Sequence, residues 1–170
     1  LCCDENPYAV YADTVFDPKK RGLYIGRDVT SKYKSRSKEM YENYAAYISK
    51  ILHQKKGNYM VFFPSYLFME EVYQKYLEHY HRDEELLIQR SDMKEAEKEE
   101  FLNHFDESEH TVVGFCVLGG VFSEGIDLTG NRLIGSIIVG TGLPGVSNRR
   151  KIMMDYFDRI DGNGFLYSYL

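Results

Sequence analysis

Hydrophobic and polar positions along the chain change repeatedly between a strand-like and a helix-like pattern. Unbroken apolar runs, typical of strands covered on both faces, alternate with segments in which apolar residues recur every three or four positions. The predicted strands are LYIGRDV (23–29), YMVFF (59–63), LLIQ (86–89), VVGFCVL (112–118), LIGSIIV (133–139) and FLYSYL (165–170).

Two of the helical segments begin at serine residues that can cap them. Ser37 precedes an apolar stripe made of Met40, Tyr41, Tyr44, Ile48, Ile51 and Leu52. Ser65 precedes a second stripe made of Met69, Val72, Tyr73, Tyr76, Leu77 and Tyr80. Two further helices are predicted at 92–105 and 146–160. Alternation of strands with helices predicts an α/β domain whose sheet is mainly parallel.

Length and composition indicate the number of domains and the environment in which the protein works. A chain of 170 residues without internal repeats predicts one domain, 1–170, and 44% apolar with 28% charged residues is a globular balance. No stretch is long and apolar enough to cross a bilayer, and the first residues do not resemble a secretory signal. We therefore expect a cytoplasmic protein with no membrane partner.

Charge and cysteine content exclude some functions. A net charge of −5 argues against bulk electrostatic coating of nucleic acid, so basic contacts must come from local patches. Two such patches are present, one of Lys32, Lys34, Arg36 and Lys38 and one of Arg149, Arg150 and Lys151. Three cysteines cannot form an orderly disulfide framework, and neither they nor the five histidines show metal-ligand spacing; we expect no metal site in the chain.

Residues 137–145, IIVGTGLPG, contain the spacing of a dinucleotide-binding turn at Gly140, Gly142 and Gly145. The position of the pattern argues against that function, because too little chain follows Gly145 for the further strand–helix units and the acidic residue that such a site needs. Pro144 also removes an N–H group from the loop. A small Rossmann-type nucleotide-binding module is kept as an alternative.

The loop GGVFSEGIDLTG, at 119–130, carries more chemistry. It directly follows a predicted buried strand, so its polar groups are expected at the carboxyl edge of the sheet, where open α/β sheets bind ligands. Glu124 and Asp127 offer carboxylates for a ribose hydroxyl or a guanidinium, and Gly125 allows close backbone approach.

Four segments in order resemble superfamily 2 helicases of the XPD/DinG type. SEGIDL (123–128) resembles their fifth conserved motif and NYMVFFPSYLFMEEV (58–72) their fourth. TSKYKSRSKEM (30–40) is similar to the polar stretch before it, and IIVGTGLPGVSNRRKIMMDYF (137–157) to the strand, turn and basic helix after motif five. The resemblance covers nearly the whole chain.

This resemblance implies the C-terminal RecA-like domain, a three-layer α/β fold of the P-loop NTPase type with a mainly parallel central sheet flanked by helices. It implies a bacterial, DinG-like helicase, associated with the nucleoid, in which ATP hydrolysis drives travel along single-stranded DNA. The sequence contains no phosphate-binding GxxxxGK[ST] loop and no Asp-Glu-x-His box, and it stops before the sixth, arginine-bearing motif. ATP and Mg²⁺ are therefore expected to be held mainly by an N-terminal RecA-like domain, together with any iron–sulfur cluster, and this chain alone is expected to be inactive.

The resemblance also implies roles for residues. The expected ATP-facing residues are Glu124, Gly125 and Asp127. The expected DNA-binding residues are Ser65, Tyr66, Lys32, Lys34, Arg36, Arg149 and Arg150. More ordinary interpretations stay open: Ser65 can simply cap a helix, the basic residues can be solvated surface, and the fold can serve as a catalytically inert interaction domain.

Overall fold

The computed structural model describes residues 11, 14, 17–107, 110–142 and 147–169. The strands are β1 (Tyr59–Phe63), β2 (Glu85–Ile88), β3 (Val112–Val117) and β4 (Gly135–Ile138). The helices are α1 (Lys38–Leu52), α2 (Tyr66–His79), α3 (Glu95–Asn103), α4 (Asn148–Ile160) and α5 (Gly164–Tyr169). Short 3₁₀ turns occupy Pro18–Lys20, Tyr33–Ser35 and Gly130–Arg132.

The four strands form one parallel sheet in the order β2-β3-β1-β4. Val61 at the centre of β1 is in register with Phe115 of β3 and with Ile137 of β4. Because the strands are parallel, the loops that leave their carboxyl ends lie along one edge of the sheet. The prediction of a mainly parallel sheet is confirmed.

Two hydrophobic clusters cover the two faces of this sheet, because successive strand side chains point to opposite faces. Val61 and Phe63 of β1 pack with α1 and α2, whereas Met60 packs on the other face with Phe101 and Phe105 at and just after α3. All five side chains are at most 5% exposed. This gives the helix–sheet–helix layering that the predicted fold class requires.

The serine caps inferred from the sequence are present. The Ser37 hydroxyl accepts from the Met40 amide at 3.1 Å, and the Ser65 hydroxyl accepts from the Phe68 amide at 3.3 Å. Each bond satisfies one amide that has no partner within the first turn of its helix. The starts of α1 and α2 are therefore determined locally.

Two predicted strands are wrong. Residues 23–29 form no strand, and Leu23, Tyr24 and Ile25 are 78 to 88% exposed. Their apolar side chains resemble those of a strand. A strand also needs a neighbour with which it exchanges hydrogen bonds, and none of the described strands pairs with these residues.

The second wrong strand is FLYSYL, most of which forms helix α5. The Asp158 carboxylate accepts from the Gly164 amide at 2.8 Å at the start of this helix, and the Tyr167 ring packs 4.5 Å from that of Phe157. A cap from α4 and an aromatic contact with α4 thus override the strand propensity of the aromatic residues. Leu170 lies outside the described residues.

Cys116 lies fully buried in β3. Burial raises the pKa of its thiol to about 12, which keeps it protonated and unreactive at neutral pH. Cys2 and Cys3 lie outside the described residues. Within the described ranges, no helix is long and apolar enough to span a membrane.

Candidate functional site

Three chain segments leave the carboxyl edge of the sheet next to one another. β1 leads to Ser65 and the start of α2, β3 leads to the loop at 119–130, and β4 leads to Gly140. Backbone hydrogen bonds extend the ladder past the strand ends, from the Leu118 amide to the Phe63 carbonyl at 2.8 Å and from the Val139 amide to the Phe62 carbonyl at 2.8 Å. The parallel register thus gathers five of the ten sequence-predicted site residues at one edge, namely Ser65, Tyr66, Glu124, Gly125 and Asp127.

The loop at 119–130 is anchored to the domain by its apolar residues. Phe122 is 1% exposed and its ring stacks on Phe101 with centroids 4.3 Å apart. The Ser123 hydroxyl donates to the Val117 carbonyl at 3.1 Å, and Ile126 and Leu128 pack partly buried against the cluster beside α3. Burial of these side chains on one side of the loop fixes its path.

The predicted ATP-facing residues are on the opposite side of this anchored loop. Glu124, Gly125 and Asp127 are all exposed to solvent. Gly125 has φ +73°, a left-handed conformation that glycine adopts without the cost paid by other residues. The acidic tip is therefore open toward the outside of the domain, as a half-site that faces a second domain would have to be; its role in ATP binding stays a prediction.

The start of α2 carries both residues predicted from the fourth motif. Ser65 caps the helix with its hydroxyl, so the structural interpretation of this residue is correct whatever else it binds. Tyr66 is 37% exposed, and its hydroxyl accepts from the Gln89 side chain at 2.9 Å. Helix amides and dipole favour an anion at this end of a helix.

Gln89 was not identified from the sequence. It follows β2 and is 1% exposed, although it is a polar residue. The available signal was a glutamine at the end of an otherwise apolar run, LLIQ, since a buried amide needs hydrogen-bond partners.

The first basic segment lies beside the start of α2. The Arg36 guanidinium is 5.0 Å from the Phe68 ring centroid and 5.3 Å from that of Tyr33, and Arg36 Nε has no hydrogen-bond partner within the described residues. A Cβ at Gly140 would lie 2.5 Å from the Ser31 hydroxyl, which places this segment against the end of β4. Lys32 and Lys34 are exposed on the same segment. The structure thus brings Arg36 against Phe68, in the first turn of the helix that Ser65 caps.

The second basic patch is divided. Arg149 is exposed near the start of α4. The Arg150 guanidinium instead donates to the Ser168 carbonyl and lies 5.4 Å from the Tyr169 ring centroid. Arg150 therefore holds α5 against α4, an internal role that the sequence did not predict.

The space beside Gly140 and Gly142, the glycines of the Rossmann-type alternative, is filled by other side chains of the protein. Gly140 and Gly142 have φ +83° and +64°. A Cβ at Gly140 would collide with Ser31, and one at Gly142 would lie 3.2 Å from Leu118. The room that a dinucleotide site keeps for pyrophosphate is thus used here for close packing, which argues against that alternative. Gly145 lies outside the described residues.

Comparison with known proteins identifies the family. The family described as "Helicase C-terminal domain" matches residues 48–170. The chain belongs to this family. A relative, the ATP-dependent DNA helicase XPD of Sulfolobus acidocaldarius, is 36% identical over 122 residues, which is 71% of this chain and 20% of the relative.

Solved structures agree with this assignment of the helicase C-terminal domain. An XPD structure in the apo form superposes with a TM-score of 0.61 at 27% identity, over 84% of this chain and 28% of that one. A second XPD helicase structure gives 0.60 at 28% identity, over 81% and 24%. The predicted membership of the XPD/DinG type is confirmed, and the chain spans about a fifth of the length of its curated relative.

Proposed function

We propose that this helicase C-terminal domain is the second motor domain of an ATP-dependent DNA helicase. In this proposal an N-terminal RecA-like domain of the same polypeptide completes the ATP site, and hydrolysis drives translocation on single-stranded DNA and duplex unwinding. The observation that carries the proposal is the anchored loop whose acidic tip is exposed at the same sheet edge as Ser65, Tyr66 and Arg36.

The ATP-facing part of the proposal rests on the packing that anchors the loop to the domain. Stacking of Phe122 on Phe101 holds the backbone, so Glu124 and Asp127 are presented by a fixed support. Asp127 would accept a hydrogen bond from the ATP ribose or pair with an arginine of the sixth motif, and Gly125 would let the nucleotide approach closely.

Phosphate and Mg²⁺ binding are assigned to the first motor domain, together with any iron–sulfur cluster. The described residues include no group of three or more His, Cys, Asp or Glu side chains placed to hold a metal ion. Mg²⁺ would neutralise charge on the nucleotide phosphates, while the residues of this chain orient the ribose side of the cleft.

The DNA-facing part of the proposal uses the start of α2 and the basic segment. Ser65 and Tyr66 would meet backbone phosphate at the helix N-terminus, and Arg36 would add a charge held by its two aromatic neighbours. Lys32, Lys34 and Arg149 are exposed and would extend the track. Contacts to phosphate carry no base information, which suits a motor that moves along any sequence.

Movement would follow from opening and closing of the two motor domains. ATP bound at the acidic tip favours the closed arrangement, and its hydrolysis releases that preference. The DinG-like subtype, five-prime to three-prime polarity and a location in the bacterial cytoplasm at the nucleoid belong to the same proposal and rest on the family resemblance.

The test is Asp127→Ala in the polypeptide that contains both motor domains. Loss of a charge-assisted hydrogen bond predicts a fall of about tenfold to a hundredfold in kcat/KM for DNA-stimulated ATP hydrolysis. Asp83→Ala is the matched control, because Asp83 is exposed before β2, at the opposite edge of the sheet.

Two results would contradict the proposal. A wild-type kcat/KM for DNA-stimulated ATP hydrolysis in Asp127→Ala would show that the loop does not bind ATP. Absence of DNA-stimulated hydrolysis in the unmodified two-domain polypeptide would favour the inert interaction domain instead.

A further inference from the structure

The side chain of Gln89 links three elements at the carboxyl edge of the sheet. Its Oε1 accepts from the Val117 amide at 2.9 Å, and its Nε2 donates to the Tyr66 hydroxyl at 2.9 Å. Gln89 is 1% exposed, so its bond to Val117 forms away from competing water, whereas its bond to Tyr66 is partly buried. The end of β2 is thereby joined to the end of β3 and to the start of α2.

The orientation of the Gln89 amide follows from its partners. A backbone N–H can only donate, so the atom that faces Val117 must be the amide oxygen. The amide nitrogen, which only donates, therefore faces Tyr66, and the tyrosine oxygen must accept. A phenol has one proton, and this arrangement directs that proton of Tyr66 away from Gln89.

The Gln89 amide lies directly against the backbone of Gly120. A Cβ at Gly120 would lie 2.4 Å from Gln89 Nε2 and 2.8 Å from the Val117 carbonyl oxygen. A residue with a side chain at position 120 would thus have to displace the amide. The first turn of the loop that carries the acidic tip is built around Gln89.

We propose that Gln89 is a positioning residue that holds the Tyr66 hydroxyl as an outward hydrogen-bond donor to a backbone phosphate of single-stranded DNA. Phosphate oxygens only accept, so a hydroxyl whose proton points outward is in the orientation they require. Tyr66 is 37% exposed and stands in the first turn of α2, where the helix dipole favours an anion. This inference rests on the proposed DNA-binding function.

The test is a double-mutant cycle in the two-domain polypeptide, read as the Kd for a fluorescently labelled oligothymidine. Gln89→Met keeps the side-chain length and removes both hydrogen bonds, and Tyr66→Phe removes the hydroxyl. Each change is expected to raise the Kd by about three- to tenfold, the worth of one hydrogen bond. The double variant should bind no more weakly than Tyr66→Phe, because Gln89 acts through that hydroxyl.

A matched control uses Tyr73→Phe. Tyr73 lies on the same helix with its ring 5.1 Å from Phe115, and the structure gives its hydroxyl no hydrogen bond within the described residues. Gln89→Met should weaken binding to the same degree with or without Tyr73→Phe. A purely structural role of Gln89 would change the midpoint of thermal unfolding but would not make its effect on Kd depend on the Tyr66 hydroxyl.

If Gln89→Met does not fold, Gly120→Ala is a second way to break the bond from Gln89 to Tyr66, because a Cβ at position 120 would displace the Gln89 amide. It should raise the Kd when Tyr66 is intact and have no further effect when it is combined with Tyr66→Phe. Multiplicative effects of the changes at 89 and 66, or unchanged affinity in both Gln89→Met and Gly120→Ala, would overturn the inference. If Tyr66→Phe and Arg36→Ala also bind like the wild type, the proposed DNA surface itself is wrong.

Discussion

The guanidinium of Arg36 lies over the ring of Phe68, 5.0 Å from its centroid. Phe68 is fully buried in the first turn of α2, with Tyr41 and Tyr44 packed edge-on against it at 5.2 and 5.4 Å. The aromatic cluster therefore fixes a cation at the end of the helix where amides and dipole favour an anion.

This relationship predicts that Arg36 contributes more to DNA binding than a typical surface cation. Arg36→Ala in the two-domain polypeptide should raise the Kd for single-stranded DNA about tenfold and reduce the salt dependence of log K by about 0.7, the value of one phosphate contact. The affinity would be measured by fluorescence anisotropy over a series of salt concentrations.

Lys75→Ala is the control for Arg36. Like Arg36→Ala, it removes one positive charge. Lys75, however, pairs with Glu78 in the later part of α2, away from its first turn. Equal salt slopes for wild type and Arg36→Ala would show that Arg36 does not contact phosphate.

The adjacent residues Arg149 and Arg150 on α4 are predicted to contribute differently to the free energy of unfolding. Arg150→Ala should lower the free energy of unfolding by about 1 to 3 kcal/mol, because the Ser168 carbonyl loses a charged donor and Tyr169 loses a cation. Arg149→Ala removes an exposed side chain and should change that free energy by less than about 0.5 kcal/mol. Urea unfolding measures both, and equal losses would contradict the assigned internal role of Arg150.

The amino edge of the sheet contains a buried carboxylate with a low pKa. Burial by itself would raise the pKa of Glu84, but hydrogen bonds from the Arg82 amide, the Tyr76 hydroxyl and His53 outweigh burial and lower the pKa to about 2. The Glu84 side chain is 3% exposed, so these bonds are shielded from solvent. The folded state thus binds this proton less readily than the unfolded state.

Acid should therefore destabilise the domain through Glu84. The stabilisation is complete above the ordinary glutamate pKa of 4.5 and is lost as the pH falls toward about 2, where the folded group protonates. It amounts to about 3 kcal/mol. Glu84→Gln should flatten the fall in unfolding free energy across this range, measured by urea unfolding at a series of pH values.

Glu99→Gln provides the comparison for Glu84, since Glu99 is exposed on α3. It should keep the wild-type dependence on pH. A Glu84→Gln variant whose stability falls as steeply as that of the wild type would show that other groups cause the acid sensitivity.

The sequence by itself determined the features that depend on neighbours along the chain. The caps at Ser37 and Ser65 and the apolar runs of β1 and β3 are local signals, and each structural element they predicted is present. The motif SEGIDL is sufficient to identify the loop at the carboxyl edge, because strand, turn and acidic tip follow one another directly along the chain.

Tertiary structure alone decided the features that depend on partners distant along the chain. Residues 23–29 have strand-like character but no paired strand, and α5 forms because α4 supplies a cap and an aromatic contact. The bond from Gln89 to Tyr66 and the placement of Arg36 over Phe68 join residues more than twenty positions apart. Side-chain hydrogen bonds and ring contacts of this kind leave no periodic trace in a sequence, since their geometry is created by the packing of the completed fold.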